Sequence, residues 1–565
     1  MNLQAWLPKS VTCLREGYGS QDFVRDLIAG VTVGLVALPL AMAFAISSGV
    51  PPQSGIYCAI VAGFLISALG GSRTQIGGPT GAFVVVVSGI VLHHGIDGLF
   101  LCTLLAGVFL VILGATGMGT AVDYIPRPVV VGFTNGIAVV IASTQIEDFF
   151  GLHLEHPAST VVPRLQQALQ GIDGISVPAT VMSAASLLVL VTASMFWKRV
   201  PGAILVLVLG TAATALLAIP VDTIGSRFGG IPQGLPRLVI PVFRPELIGP
   251  LLSPAVTVAL LGAIESLMSA TVSDRMSGDR HNPNVELVAQ GVANIASPLV
   301  GGLPATGAIA RTATNIRSGA RTPVAGMIHA LTLLAVLVLA APLARFVPLP
   351  ALAAILLMVA YNMGDWGEIP ELLRMGKSDI SVWLITFALT VFADLTLAVE
   401  VGMVLAALLF IRKVAVTTEV EEITSAHVEE DRTHRLVDRA IPDDVTVFRI
   451  RGPFLFGSTE KLEAVGDRAS LTPIVILRLR DMTAIDATGL TAIEELAGRL
   501  RDRGSTLLLC GAREQPKLLM RKAEFERHVG EENFCENIEQ ALARAAVIRA
   551  GTEPTGPARA ADPTH

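Results

Sequence analysis

The chain has 565 residues, 52% hydrophobic and 16% charged, with a formal net charge of −6. Soluble enzymes carry about a quarter charged residues, so an ordinary soluble enzyme is excluded. The small acidic balance also speaks against a nucleic-acid partner. The five cysteines (Cys13, Cys58, Cys102, Cys510, Cys535) show neither metal-ligand nor disulfide-framework spacing, and no metal or cofactor is expected.

The start of the chain lacks a short apolar stretch with a small-residue cleavage site, so no cleaved signal is expected. Residues 1–26 read as a cytoplasmic segment and the first apolar stretch begins near Leu27. A membrane-crossing helix needs about 20 mostly apolar residues. Candidate spans follow at 27–49, 53–70, 98–119, 128–150, 176–197, 203–220, 251–273, 285–302, 322–342, 347–364, 379–396 and 397–412. The stretches 79–94 and 305–318 are too short or too polar to cross alone and read as half-helices. Asp394 and Glu400 mark only a weak boundary between the last two spans. The total is fourteen elements, seven in each half.

Short-loop Lys and Arg set orientation. With the N-terminus inside, the inner loops collect Arg73, Arg127, Lys198, Arg199, Arg275, Arg280, Arg317, Arg321, Arg374 and Lys377. The outer loops hold Arg164, Arg227, Arg237, Arg244 and Arg345. Both termini are therefore expected in the cytoplasm. Seven elements per half is an odd number, so the second half is inverted relative to the first.

Residues 413–444 are charged and read as a linker with room for one strand. From 445 to 548 the pattern becomes soluble α/β. Strands are expected at Val445–Ile450, Ile474–Leu479 and Thr506–Leu509, and a helix at Thr491–Arg503 with Ile493, Leu496 and Leu500 on one face. The tail 549–565 is Gly/Pro/Ala-rich and expected to be disordered.

The two halves carry similar interrupted segments. One reads Gly77-Gly78-Pro79-Thr80-Gly81-Ala82-Phe83; the other reads Gly301-Gly302-Leu303-Pro304-Ala305-Thr306-Gly307-Ala308-Ile309. Their separation of about 225 residues recurs in other landmarks. Such matched Gly/Pro interruptions point to a transporter's substrate site. A helix N-terminus leaves N–H groups free and carries about half a positive charge. Two facing ends make an anion site without a charged side chain. Thr80 and Thr306 cap these helices or give a hydroxyl to the ligand, while Gly81, Gly307 and Ala308 let it reach the backbone. The alternative is tight helix packing with capping threonines.

Arg311 lies within the second segment. An arginine at that depth is expensive unless paired or facing a wet cavity. It either completes the anion site or serves the inner-loop charge bias. Glu265 is the lone ionisable residue within the span 251–273. It can carry a proton, bind a cation or pair with Arg311. Ser269, one turn on, is a secondary candidate. His281 reads as a solvated loop residue. Gln290 and Asn294 share a helix face and read as bonded to neighbouring helices. His93 and His94 sit at an outer loop without a metal partner. Neither a nucleophile–base pair nor a Walker motif appears, so catalysis and ATP drive are not expected.

The residues Ala37-Leu38-Pro39-Leu40, Gly78-Pro79-Thr80, Leu260 to Ser269 and Pro304-Ala305-Thr306-Gly307 to Asn315 resemble the SulP anion transporters. Asp481 to Leu490 resembles the signature of a STAS domain. The resemblance implies an α-helical polytopic fold of fourteen transmembrane segments in a seven-plus-seven inverted repeat. It implies core and gate domains that move against each other, a cytoplasmic STAS domain and a homodimer in the bacterial inner membrane. Sulfate-type members carry Gln where this chain has Leu40. Sodium-dependent bicarbonate members carry Asp at Glu265 and lack arginine at Arg311. The stretches Gly262–Leu267 and Ala308–Arg311 look most like the enterobacterial C4-dicarboxylate member, which implies proton-coupled carboxylate transport. Sulfate, bicarbonate, or an uncoupled exchanger or channel are the alternatives. STAS proteins that are phosphorylated carry serine where this chain has Ala487, so the domain reads as an assembly and regulatory module that could hold a cytoplasmic partner.

Overall fold

The computed structural model describes residues 6–120, 126–154, 160–196, 201–236, 238, 244–393, 395–423, 441–462 and 472–551. It divides into two compact units, Met1–Ala406 and Ala407–His565. Most of the expected linker, the tail after Gly551, Asp394, Lys198, Arg199 and Arg237 lie outside the described residues.

The first half begins with a short helix, α1 (Lys9–Gly17), and then α2 (Ser20–Ser47) and α3 (Pro52–Leu69). A two-residue strand, β1 (Gly77–Gly78), leads into α4 (Gly81–Ala115). At Gly95 the backbone turns to φ 70°, ψ −173°. That conformation suits glycine, and it divides α4 into the expected half-helix and a full span. α5 (Arg127–Thr144) continues into α6 (Ile146–Phe150), and α7 (Val161–Gln170) connects to α8 (Val177–Phe196) and α9 (Gly202–Leu217).

After α10 (Ile224–Phe228), the second half repeats the plan. α11 (Ile248–Ser277) and α12 (Pro283–Ala296) precede strand β2 (Thr306–Gly307) and the short α13 (Ile309–Arg317). α14 (Val324–Ala344), α15 (Leu349–Met363), α16 (Ile369–Leu372), α17 (Lys377–Phe392) and α18 (Leu395–Thr417) complete it. Among the described residues, eight helical stretches are long and apolar enough to cross a membrane. The two parts of α4, the α5–α6 stretch, and α2, α3, α8 and α9 make seven segments. The helices α11 to α15 with α17 and α18 make the other seven. The chain is thus an α-helical polytopic membrane protein of two inverted seven-segment halves.

Close packing follows from small residues, which let helix backbones approach in an apolar medium. A Cβ on Gly291 of α12 would lie 2.6 Å from the Gly107 carbonyl oxygen of α4, and one on Gly107 would lie 2.8 Å from that of Gly291. Gly30 and Gly34 of α2 meet α14 in the same manner, at Ala325 and Thr332. Helix starts are punctuated as sequence rules require. Pro52 and Pro283 stand at first positions, and Asn282 accepts from the N–H groups of Asn284 (3.1 Å) and Val285 (3.2 Å).

The second unit is α/β. Strands β3 (Glu419–Glu422), β4 (Val445–Phe454), β5 (Ile474–Arg478), β6 (Met482–Ile485), β7 (Thr506–Cys510) and β8 (Phe534–Cys535) form its sheet. The order is β3-β4-β5-β7-β8, with β6 also on β4. β3 is antiparallel to β4 and the remaining pairs are parallel. The central strands are apolar on both faces because helices cover both. Val475 and Leu477 of β5 pack with Ile493, Leu496 and Leu500 of α19 (Ala487–Asp502). Ile474 and Ile476 join a second core. Helices α20 (Glu514–Lys522) and α21 (Glu526–Val529) follow, and Ala541 and Ala545 of α22 (Ile538–Arg549) complete that second core.

Some expected boundaries are corrected. α18 runs to Thr417 and β3 follows at Glu419, where a linker was expected. α19 starts at Ala487, ahead of the expected Thr491, because Asp486 caps it by accepting from the Gly489 N–H at 2.8 Å. The second half-helix starts at Ile309, after an extended strand that occupies Thr306 and Gly307.

Candidate anion site between two interrupted segments

β1 and β2 pair antiparallel, with Gly77 opposite Gly307 and Gly78 opposite Thr306. This short ladder brings the two similar segments side by side, although they are far apart in sequence. Each strand then delivers its chain into a helix start, Gly81 for α4 and Ile309 for α13.

Thr80 occupies the N-cap position of α4 but makes no side-chain cap. Its hydroxyl donates instead to Oε2 of Glu265 at 2.9 Å. Glu265, in the middle of α11, is half-buried. It lines a cleft with Leu261, Ile264 and Met268 of its own helix, Phe133 and Thr134 of α5, and Ile309 at the start of α13. The carboxylate thus stands at the mouth of the second helix end.

Arg311 is 3% exposed. Its Nη2 donates to the Pro79 carbonyl, so the second half's arginine clasps the first half's interrupted segment. Its Nη1 has no partner among the described residues. That atom lies against Gly78, where φ is 143° and a Cβ would come within 2.8 Å of it. The direct Glu265–Arg311 pair, one of the sequence-based alternatives, does not form; each group bonds to the segment around Pro79 and Thr80.

Thr306, Gly307 and Ala308 are placed differently from expectation. The Thr306 hydroxyl donates to the Gly262 carbonyl (3.0 Å) and shares a hydrogen bond with Ser266 (2.7 Å). The Gly307 N–H donates to the Ser266 hydroxyl at 3.1 Å, and the Ala308 N–H to the Ile76 carbonyl at 2.8 Å. These groups are committed inside the fold. The first-turn N–H groups of α13 at Ile309, Ala310 and Arg311, and those of α4 at Gly81 and Ala82, are the donors that a helix start leaves without an intrahelical partner. Neither Thr80 nor Thr306 caps its helix.

A polar scaffold holds the ladder. Ser269, fully buried, bonds to Thr312 at 3.0 Å, and the Thr312 hydroxyl accepts from the Ile76 N–H at 3.0 Å. Gln75 donates to the Ser266 carbonyl at 3.1 Å, and Asn315 to the Thr74 carbonyl at 2.9 Å. Asn294 of α12 exchanges two 2.8 Å bonds with the Ala305 backbone. It therefore holds the interrupted segment, where sequence suggested a neighbouring helix, while Gln290 bonds to Glu286 on its own helix. His281 is not a solvated loop residue: its Nδ1 is 2.7 Å from the Asp274 carboxylate and the side chain is largely buried. His93 and His94 lie together on α4, ring centroids 6.4 Å apart. Sequence reasoning missed Ser266, Gln75 and Thr312 as ladder supports. Their sole signal was polarity within apolar stretches.

The sequence model described as the sulfate permease family matches residues 23–386. The chain belongs to this family. A STAS domain matches residues 437–541. The Bacillus subtilis (strain 168) protein YvdB is 39% identical over 523 residues, covering 92% of this chain and 97% of its own length. The bicarbonate transporter BicA of Synechocystis sp. (strain ATCC 27184 / PCC 6803 / Kazusa) is 30% identical over 539 residues, 93% of this chain and 94% of BicA. A solved structure of the murine Slc26a9 anion transporter in the inward-facing state superposes with a TM-score of 0.86 at 17% identity, over 96% of this chain and 94% of that one. This last likeness bears on the fold alone. As a sulfate permease family member the chain is a multi-pass anion transporter rather than an enzyme.

Proposed function

We propose that the protein is a secondary active transporter that carries a small anion together with a proton across the bacterial inner membrane. The observation that carries this reading is the Thr80–Glu265 hydrogen bond beside two helix starts and Arg311. The anion binds at the first-turn N–H groups of α4 and α13, with Thr80, Gly81 and Ala308 at its edge and Arg311 supplying the positive charge. Thr306, Gly307 and Ser269 shape that site by holding β2 in place.

Glu265 is the proton carrier. An ionised carboxylate beside the site repels an anion and occupies the Thr80 hydroxyl as its donor. A protonated Glu265 removes the repulsion and leaves Thr80 free to turn to the ligand. Proton and anion then favour each other's binding by the same factor, as linkage requires. Movement of a core domain against a gate domain carries both across. Both termini face the cytoplasm, as the loop charges indicate. The chain works as a homodimer, and the STAS domain serves assembly and regulation.

For the anion, the stretches Gly262–Leu267 and Ala308–Arg311 favour a C4-dicarboxylate such as succinate or fumarate. Bicarbonate is the second reading, supported by the likeness to BicA over nearly the whole chain; sulfate follows from the family. Uptake of labelled succinate, fumarate, sulfate and bicarbonate into proteoliposomes, with and without an inward proton gradient, tests the proposal. Stimulation of one of them by the gradient is expected. Steady anion currents far above carrier turnover, without any stimulation, would instead identify a channel.

A further inference from the structure

His329 of α14 is fully buried, and neither ring nitrogen has a hydrogen-bond partner among the described residues. Its helix neighbours Ala325, Ile328, Ala330 and Leu333 are buried apolar side chains. A polar ring in such a place is disfavoured unless it serves something.

Its surroundings point to the anion site. Across α3, a Cβ on Gly63 would lie 3.9 Å from the ring's Cδ2 and 3.0 Å from the Gly77 carbonyl oxygen of β1. The ring therefore sits just behind the strand that leads to Pro79 and Thr80. The Val33 carbonyl of α2 lies beside the ring as its nearest backbone acceptor, and the charge of Arg311 acts on the ring. Arg311 itself is held at Nη2 by Pro79, while Nη1 lacks an acceptor. A neutral imidazole offers one donor and one acceptor. Its N–H suits the Val33 carbonyl. Its other nitrogen suits the Nη1 group that lacks an acceptor.

We propose that His329 is a positioning residue of the anion site, in which a neutral ring nitrogen accepts from Arg311 Nη1 across one water and fixes the guanidinium from behind. The inference rests on the reading of Arg311 as the anion's charge partner. It adds α14 and α2 to the elements that orient the arginine. It also makes His329 a determinant of affinity, outside the bound anion's reach.

The test uses full-length protein in proteoliposomes, with labelled succinate, fumarate, sulfate and bicarbonate as probes and KM read for the one the wild type takes up. His329→Leu is expected to raise KM about tenfold while leaving the maximal rate within about twofold. His329→Gln, which keeps a donor and an acceptor, is expected to stay within about threefold of the wild type. In an Arg311→Lys background, His329→Leu is expected to change KM by less than about twofold, because the two residues act as a unit. An unchanged KM in His329→Leu would overturn the inference. So would an equal loss in the Arg311→Lys background, or a His329→Gln variant as impaired as His329→Leu. If Arg311→Lys alone leaves KM untouched, the reading of Arg311 fails and this inference falls with it. If Arg311→Lys raises KM while His329→Leu is silent, the positioning role alone is overturned.

Discussion

The Thr80 hydroxyl and the Glu265 carboxylate meet at 2.9 Å. The two residues come from opposite halves of the membrane domain, one at the start of α4 and the other in the middle of α11. The bond joins a neutral helix end to the half that carries both Glu265 and Arg311. It follows from the β1–β2 register, because Gly78 opposite Thr306 sets the start of α4 against α11.

Thr80→Val keeps the shape of the side chain and removes its donor. A hydrogen bond to a charged group contributes about 1.5–3 kcal/mol. Thr80 turned to the ligand is lost as a donor, so affinity for the transported anion is expected to fall about tenfold and proton-stimulated uptake to fall with it, while the lost Glu265 bond lowers the melting temperature by no more than a few degrees. Uptake kinetics across a pH series check this. Unchanged KM and unchanged gradient stimulation would show that the bond has no part in coupling.

Arg311→Lys keeps the charge but loses the planar two-pronged donor. The guanidinium holds the Pro79 carbonyl through Nη2 and keeps Nη1 for another acceptor, whereas an ammonium is a point donor. An increase of about tenfold or more in KM is expected, with the protein still folded. Thermal-shift titration with the transported anion provides an independent reading, since a ligand that binds the native state raises the melting temperature.

Gly307→Ala tests the ladder. A Cβ there would fall 1.7 Å from Nε2 of Gln75 and 3.1 Å from the Ser266 Cα. Overpacking of a filled site typically costs about 1–3 kcal/mol, so the detergent-solubilised variant is expected to melt several degrees lower. Gln75→Ala in the same chain removes the clash and is expected to recover part of the loss.

How much of this was legible in the sequence depends on the range of the interaction. Glu265 and Arg311 stood out because single charges in apolar runs need a reason. Thr80 stood out because its segment has a second copy. The geometry places all three around one spot. The fates of Thr306 and Gly307 were not legible. Both are consumed by Ser266 and Gly262, and that depends on a two-residue ladder between strands far apart in the chain. His329 gave no signal, because a lone histidine in an apolar helix is ordinary until its missing partners are seen. In the STAS domain β4 declared itself by alternation, and β5 and β7 by short apolar runs. β6 and β8 were too short to do so, and α19 began earlier than its apolar face because Asp486 caps it.

The N-terminal helix α1 is tied down electrostatically. Asp279, between α11 and α12, pairs with Lys9 at 2.9 Å and with Arg73 at 3.0 Å. Burial pushes its carboxyl up, but the Lys9 hydrogen bond, the Arg280 N–H and the charges of Lys9 and Arg73 outweigh that and hold it below the usual carboxylate value. A depressed folded pKa gives stability that is present above the unfolded value of about 3.9 and lost as pH falls through the folded one. Protection of α1 amides against hydrogen exchange, corrected for intrinsic rates, is expected to be constant from about pH 5 to 8 and to fall below about pH 4. Asp279→Asn is expected to loosen α1 at neutral pH and expose Cys13, which is 6% exposed in the native protein, to maleimide labelling.

Uphill accumulation of labelled succinate, fumarate, bicarbonate and sulfate in proteoliposomes under an inward proton gradient tests the coupling most directly. Wild-type protein is expected to concentrate one of them. Glu265→Gln, which mimics a permanently protonated carboxyl, is expected to keep anion exchange in the absence of a gradient and to lose accumulation. Equal gradient-driven accumulation by the wild type and Glu265→Gln would contradict the role of Glu265 as the proton carrier.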